Sequence, residues 1–180
     1  MAAPMSDVKN VKLGVCRVLF DGVDLGYTKG GVTVTVATET HKVNVDQFGQ
    51  TAINEYITGR TVTAKVPLAE TTLENLVAVM PGAILVTDST TPTKKRVDVP
   101  TGVGLNLLDF AKPLVLHPIA LPDANKSEDF VIPRAATAGA LEFGYDLENE
   151  RLYSCEFNGY PDANNKLFTV GDTTVVPKVI

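Results

Sequence analysis

The sequence predicts a mainly β fold: two packed antiparallel sheets, a β-sandwich or partial barrel, with one short α-helix at about residues 71–80. Three observations lead there. Residues 31–37 and 61–68 alternate apolar side chains with hydroxyl or charged ones, the period-two pattern of strands with one buried face. A second alternation runs through Leu141, Phe143, Tyr145 and Leu147 and then Tyr153, Cys155 and Phe157. Helical spacing is convincing in one stretch alone. No repeat of solenoid length and no linker divides the 180 residues, so the chain reads as one domain, 1–180, able to bury about 70% of the surface its unfolded form exposes.

Residues 1–10 read as a polar N-terminal arm. Residues 11–20 form a strand candidate, and Asp21-Gly22 supplies a tight turn because both residue types tolerate positive φ. Residues 23–27 return briefly before Lys29-Gly30-Gly31. In the next strand Val32, Val34 and Val36 share one face and Thr33 and Thr35 the other. The apolar positions then change parity to Val43 and Val45, which predicts a bulge or bend near residues 39–42. Beyond a polar loop at 46–58, Val62, Ala64, Val66 and Leu68 resume the pattern against Thr61, Thr63 and Lys65. Two such strands pair as an antiparallel ribbon whose loop projects beyond the body, and ordered loops of that length are usually functional.

Thr71 and Glu74 match a capping box, and Leu73, Leu76, Val77 and Met80 follow on one helical face until Pro81-Gly82 stops the run. A helix of about ten residues is marginal alone. Burying its stripe is worth roughly 6 to 10 kcal/mol gross, so it must dock on a sheet. Residues 83–87 and 96–99 read as a hairpin around a polar loop. Residues 103–110 and 114–121 are strand candidates, the second demoted to an edge or bulged strand by Pro118. Residues 130–132 form a short strand ended by Pro133. Residues 141–147 and 153–157 read as a hairpin with one aromatic and one acidic face. Residues 158–180 read as an extended C-terminal arm anchored at Leu167, Phe168 and Val170.

Sixteen basic against 21 acidic residues leave a net charge of −5, the wrong sign for generic phosphate binding. The dense basic run Lys94-Lys95-Arg96 reads as a solvated loop tip. Cys16 and Cys155 are far apart within apolar alternations, which favours buried free thiols in a reducing compartment. The N-terminus lacks the basic start and apolar core of a signal peptide, and no apolar run reaches membrane-spanning length; the expectation is a soluble chain folded in a cytoplasm. Phosphate-loop, dinucleotide, His-Glu-x-x-His and Cys-x-x-Cys motifs are missing from the sequence. Asp123, Asn125 and Ser127 begin like a calcium loop, but Glu128 and Arg134 stand where glycine and glutamate are needed. The two histidines, His41 and His117, read as surface or structural residues. Glu142, Asp146 and Glu156 read as the wet face of the late hairpin. No catalytic residue, cofactor or metal is expected, and the chain does not read as an enzyme.

Phe20-Asp-Gly-Val-Asp-Leu-Gly-Tyr-Thr-Lys-Gly-Gly31, Asp46-Gln-Phe-Gly-Gln50, Glu55-Tyr-Ile-Thr-Gly-Arg60 and Lys112-Pro-Leu-Val-Leu-His-Pro118, in that order and spacing, resemble the major tail tube proteins of long non-contractile-tailed bacteriophages. The resemblance covers about residues 15–172. It implies a structural virion protein, a β-sandwich protomer assembled in the bacterial cytoplasm into hexameric rings that stack into a hollow tube for the phage genome. Tape-measure and tail tip or terminator proteins would be partners, DNA would pass without specific binding, and no membrane insertion is implied. Relatives often add an immunoglobulin-like domain at the C-terminus, for which this chain has no room, so a smooth-walled tail is expected.

In this picture the loop reaches the neighbouring ring through Phe48, Ile53 and Tyr56 as apolar anchors, with Asp46, Gln47, Gly49, Gln50, Asn54 and Glu55 beside them. Glu39, Glu142, Asp146 and Glu156 are candidates to line the bore and repel phosphate. A tube protein of a contractile tail or type VI secretion system would share fold and ring. A monomeric binding or hydrolytic β-sandwich would want an aromatic platform, and the chain has no Trp.

Overall fold

Val62, Ala64, Val66 and Leu68 are all buried, and the strand that carries them is the spine of the sheet. In a computed structural model of the chain, which describes residues 11–145 and 147–176, the strands are β1 (Cys16–Phe20), β2 (Val23–Asp24), β3 (Thr33–Asn44), β4 (Ala52–Leu68), β5 (Ile84–Thr87), β6 (Lys95–Asp98), β7 (Lys112–Pro118), β8 (Phe130–Thr137), β9 (Tyr153–Gly159) and β10 (Thr169–Val170), with the helix α1 (Leu73–Val79) between β4 and β5. The fold is mainly β. One large antiparallel sheet runs β2-β1-β7-β8-β9-β4-β3, with β10 added to β8, while β5 and β6 form a second, two-stranded sheet. α1 lies against that small sheet.

The large sheet wraps around its own apolar face. Val18 and Phe20 of β1, Leu114 and Leu116 of β7, Ile132 of β8, Cys155 and Phe157 of β9 and the alternate residues of β4 form one core. Phe20 and Phe157 meet there with ring centroids 5.0 Å apart. The two ends of the sheet are tied on one side, where Thr28 bridges Leu68 and Ala69 N–H donates to the Tyr27 carbonyl. No barrel closes.

The Asp21-Gly22 turn forms as read, with both residues at positive φ (53° and 78°) joining Phe20 to its partner Val23. Other expectations are corrected. The first strand begins at Cys16, leaving Val11, Leu13 and Val15 exposed. The helix is capped by Thr72, whose hydroxyl accepts from Asn75 N–H, not by Thr71. Glu74 pairs across to Lys95, which holds its carboxyl below the usual range chiefly through that hydrogen bond. Val79 is the buried member of the helix.

Residues 103–110 are not a strand. Gly102 and Gly104 sit at φ 71° and 85°, outside the pleated region, and a 3-10 turn, Leu107–Phe110, follows, capped by Asn106. β7 is interior, not an edge, because Pro118 stands at its end. β8 runs through Pro133: Leu114 pairs with Ile132 and Lys112 with Ala135. Two residues of β8 therefore oppose Pro113, a bulge in which a proline is tolerated because the ladder is already interrupted. The late hairpin does not form. Gly139, at φ 73°, turns the chain away, and β9 pairs with β4 and β8 instead. Residues 158 and 159 belong to β9, so the C-terminal arm starts later than predicted; of its predicted anchors Leu167 and Phe168 pack on the core, Phe168 stacking on Phe130 at 5.0 Å, whereas the Val170 side chain is exposed and that residue is held by strand pairing with Phe130. Residues 1–10, Asp146 and 177–180 lie outside the described residues.

Gly159 marks a tight crossing of β9 with the core. A Cβ there would lie 2.3 Å from Val62 Cγ1 and 2.9 Å from Ile132 Cγ2. Gly159→Ala is expected to lower unfolding free energy by about 1 to 3 kcal/mol in urea titration, whereas Gly144→Ala, with open space around it, should change it by less than about 0.5 kcal/mol.

Candidate functional site

β3 and β4 pair from Thr33–Lys65 out to Asn44–Ala52, but β9 accompanies β4 only from Leu68 to Thr63. Beyond that point the ribbon has no third strand and stands out from the body as an arm. Its tip is tighter than the predicted loop. Residues 52–58 belong to β4, and the turn is only 45–51, built on the 3-10 turn Asp46–Phe48. Phe48 N–H donates to the Val45 carbonyl, Gly49 N–H to Asp46 and Thr51 N–H to Phe48. Gly49 takes φ 59°, ψ −127°, a conformation essentially confined to glycine.

The predicted bulge is present, but on the other strand. Glu39 pairs with Gly59 and Thr40 with Ile57, so the extra residue is Thr58 of β4. A second extra residue, Ile53, falls between Val43–Asn54 and Asn44–Ala52. β3 keeps its parity, and Val43 emerges on the face opposite Val34 and Val36. One face of the outer arm therefore carries Thr40, Lys42, Glu55 and Ile57; the other carries Glu39, His41, Val43, Asn54 and Tyr56. The Thr40 hydroxyl donates to Glu55 at 2.6 Å and Arg60 Nε donates to Thr38. Asn54 accepts from Glu55 N–H.

Both faces are wet. Phe48 is 64% exposed, Ile53 52%, Tyr56 59% and Ile57 61%. The structure thus gathers Asp46, Gln47, Phe48, Gly49 and Gln50 at the tip, and Ile53, Asn54, Glu55 and Tyr56 on the second strand beside it. Sequence reading missed Ile57, whose placement depends on the Thr58 bulge. A two-stranded ribbon is marginal in water, and β3 presents an unpaired edge twelve residues long. Exposed edges of this length are normally covered or blunted. An apolar groove of about 630 Å³, lined by Phe20, Val77, Met80, Pro81, Ile84 and Phe110 among others, lies at the opposite end of the sheet, so the two ends differ chemically.

The acidic candidates divide. Glu39 lies on the outer face of the arm; Glu156 lies on the same face of the sheet, opposite Lys65 and 3.7 Å from its ammonium. Glu142 is in the irregular segment after Gly139 and does not join them on a strand. Asp146 lies outside the described residues. Lys65, passed over as a site residue, offsets part of this face.

Elsewhere the chemistry is quiet. No cluster of three metal-binding side chains occurs among the described residues, nor a helix long and apolar enough to cross a membrane. Both cysteines are free; burial raises the Cys16 thiol and pushes Cys155 up to about 12. His41 is on the exposed arm, and His117 is buried against Asp129.

No protein-family model matches this chain, and no curated protein matches it significantly.

Because its side chains contact solvent, the double change Phe48→Ser and Ile57→Ser should leave the unfolding free energy of the body, read by urea titration, within about 0.5 kcal/mol of wild type. At about pH 8, a thiol reagent should leave Cys155 unmodified in the folded protein and titrate both cysteines in urea, since the thiolate is the reactive form.

Proposed function

We propose that this chain is the subunit of a self-assembling tube, a structural protein that closes into hexameric rings and stacks them head to tail as the tail tube of a long-tailed, non-contractile bacteriophage. The exposed arm with the open β3 edge carries the reading. A ribbon of that length, with Phe48, Ile53, Tyr56 and Ile57 exposed on it and no third strand, gains stability when a sister subunit covers it, and ring closure removes the free edge. The chemically different ends of the sheet suit heterologous stacking, which extends without limit when the contact does not close on itself. The motif resemblance supplies the hexamer and the genome conduit, with tape-measure and terminator proteins as its partners and the virion tail as its location.

In this reading the face bearing Glu39, Glu156 and the Thr-rich rows of β3 and β4 lines the bore. Repeated around each ring, these carboxylates repel phosphate and let DNA slide.

Electron microscopy of the purified protein over a range of concentrations should show rings or tubes. Replacing residues 41–56 by Asn-Gly joins the register partners Thr40 and Ile57 through a favoured two-residue turn. That variant is expected to remain a cooperatively melting monomer and to form no tubes. Normal tubes from it, or a wild-type protein that stays monomeric at every concentration, would overturn the proposal. Tubes carrying Glu39→Lys and Glu156→Lys should retain duplex DNA at low salt and release it at high salt; equal retention by wild-type tubes would remove the lumen assignment.

A further inference from the structure

Leu141, Phe143 and Tyr145 alternate with Glu142 and Gly144, the pattern of a strand with one apolar and one polar face. Yet residues 141–145 pair with no strand among the described residues. Leu141 packs against the core, whereas Phe143 is 46% and Tyr145 75% exposed. Phe143 meets the Tyr153 ring edge-on at 5.5 Å, and the Arg151 guanidinium lies 5.5 Å from the centre of the Tyr145 ring. These are side-chain contacts and leave the segment without a ladder. Gly144 is not at positive φ, so the backbone is free to extend through it.

The surface that matches it is the free edge of β3. Val34 and Val36 lie opposite Ala64 and Val62, which are both buried, so the apolar face of the core continues onto β3 and stops there. Val34 packs only partly on the core, and Val36 is 42% exposed, because no strand follows. The other face of β3 carries Thr33 and Thr35, with Lys65 beside Thr33 as its register partner. A strand added to this edge extends both rows when its apolar side chains fall on the valine side. Phe143 and Tyr145 then cover Val34 and Val36, and Glu142 joins the threonine hydroxyls on the face that bears Lys65. A slip of one residue would set Glu142 on the valines, so the two patterns fix the parity of the pairing. In its own chain the segment lies beside Tyr153 of β9, and the order β9-β4-β3 puts β4 between it and the edge. The added strand therefore comes from another copy.

We propose that residues 141–145 become a strand on association, adding to the β3 edge of a second copy along Thr33–Ala37 with Phe143 and Tyr145 on the side of Val34 and Val36. Backbone hydrogen bonds supply the affinity and the alternate side chains the specificity, as in other strand additions. Segment and edge are different parts of the chain, so the contact is heterologous, and repetition about an axis closes it into a ring. The inference rests on the assembly reading above and names the segment that meets the open edge. It also carries Glu142 to the face that bears Glu39 and Glu156.

Hydrogen exchange by mass spectrometry on the full chain reads both partners, first dilute and then at concentrations where microscopy shows rings or tubes. On assembly, peptides covering 141–145 and 33–37 should exchange about tenfold more slowly or better, while core peptides containing Val66 and Cys155 stay as they were. Gly144→Pro and Tyr145→Pro delete adjacent amide donors, one of which faces the partner strand whichever way the segment turns. One of the two variants at least should raise the concentration for half-assembly about tenfold or more, with the melting of the dilute protein unchanged. Should the proline variants fail to fold, the wild-type exchange decides alone. Tubes in which 141–145 exchanges as fast as in the monomer, or folded proline variants that both assemble like wild type, would overturn the strand addition and leave the tube reading standing. A wild-type chain that stays monomeric at every concentration overturns both.

Discussion

β4 is seventeen residues long, and its surroundings change at Val62. From Thr63 to Leu68 it has β9 on one side, with β3 on the other as far as Lys65, and its alternate side chains from Val62 onward are buried in the core. From Ala52 to Thr61 β3 is its one strand partner and most side chains on both faces meet solvent, with the segment 161–168 sharing a hollow with Thr58, Gly59 and Arg60. The same strand thus belongs to the body and to the arm. Because backbone pairing continues without a break through Thr63, Val62 and Thr61, the arm inherits its direction from the packed half. The Thr58 bulge then re-aims its outer side chains. What the body stabilises by burial, the arm presents by exposure.

The core explains why such an extension is tolerable. Side chains from β1, β4, β7, β8 and β9 meet on one curved sheet, with the bridge at Thr28 and Leu68 tying its ends. None of that burial depends on residues 36–57 beyond the partial packing of the ribbon's base. The arm can therefore carry Phe48, Tyr56 and Ile57 exposed without weakening the fold. The opposite face of the sheet is divided between bare Thr-rich rows on β3 and β4 and a covered region over β1, β7 and β8. There the loop 119–129 and the C-terminal segment are pinned by the buried histidine and aspartate.

Much of the architecture was legible in the sequence. The period-two rows of β3 and β4, the positive-φ turn at Asp21-Gly22, the hairpin of β5 and β6 and the placement of the helix all follow from local stereochemistry. The misreadings share a cause. Leu141 to Leu147 alternates as cleanly as any strand, yet Gly139 diverts it and β9 finds partners far away in sequence. Pro118 and Pro133 argued against interior strands, and the fold absorbs them at a strand end and at a bulge. Thr72 and not Thr71 caps because the helix begins at Leu73, which sets Asn75 N–H over the Thr72 hydroxyl; the Thr71 carbonyl accepts instead from the Tyr153 hydroxyl, 82 residues away.

By itself the sequence determined most of the segments that extend, though not the fate of 103–110 or 141–147, which single stretch forms an α-helix, the turn at Asp21-Gly22 and that a long ribbon stands in its first half, since these depend on side-chain period and backbone freedom within a few residues. Only the tertiary structure decided how far β9 follows β4, and hence where body ends and arm begins. It also decided which strand takes the extra residue and which histidine is buried against a carboxylate. Those outcomes depend on register between strands distant in the chain, and a shift of one residue there exchanges the buried face for the exposed one.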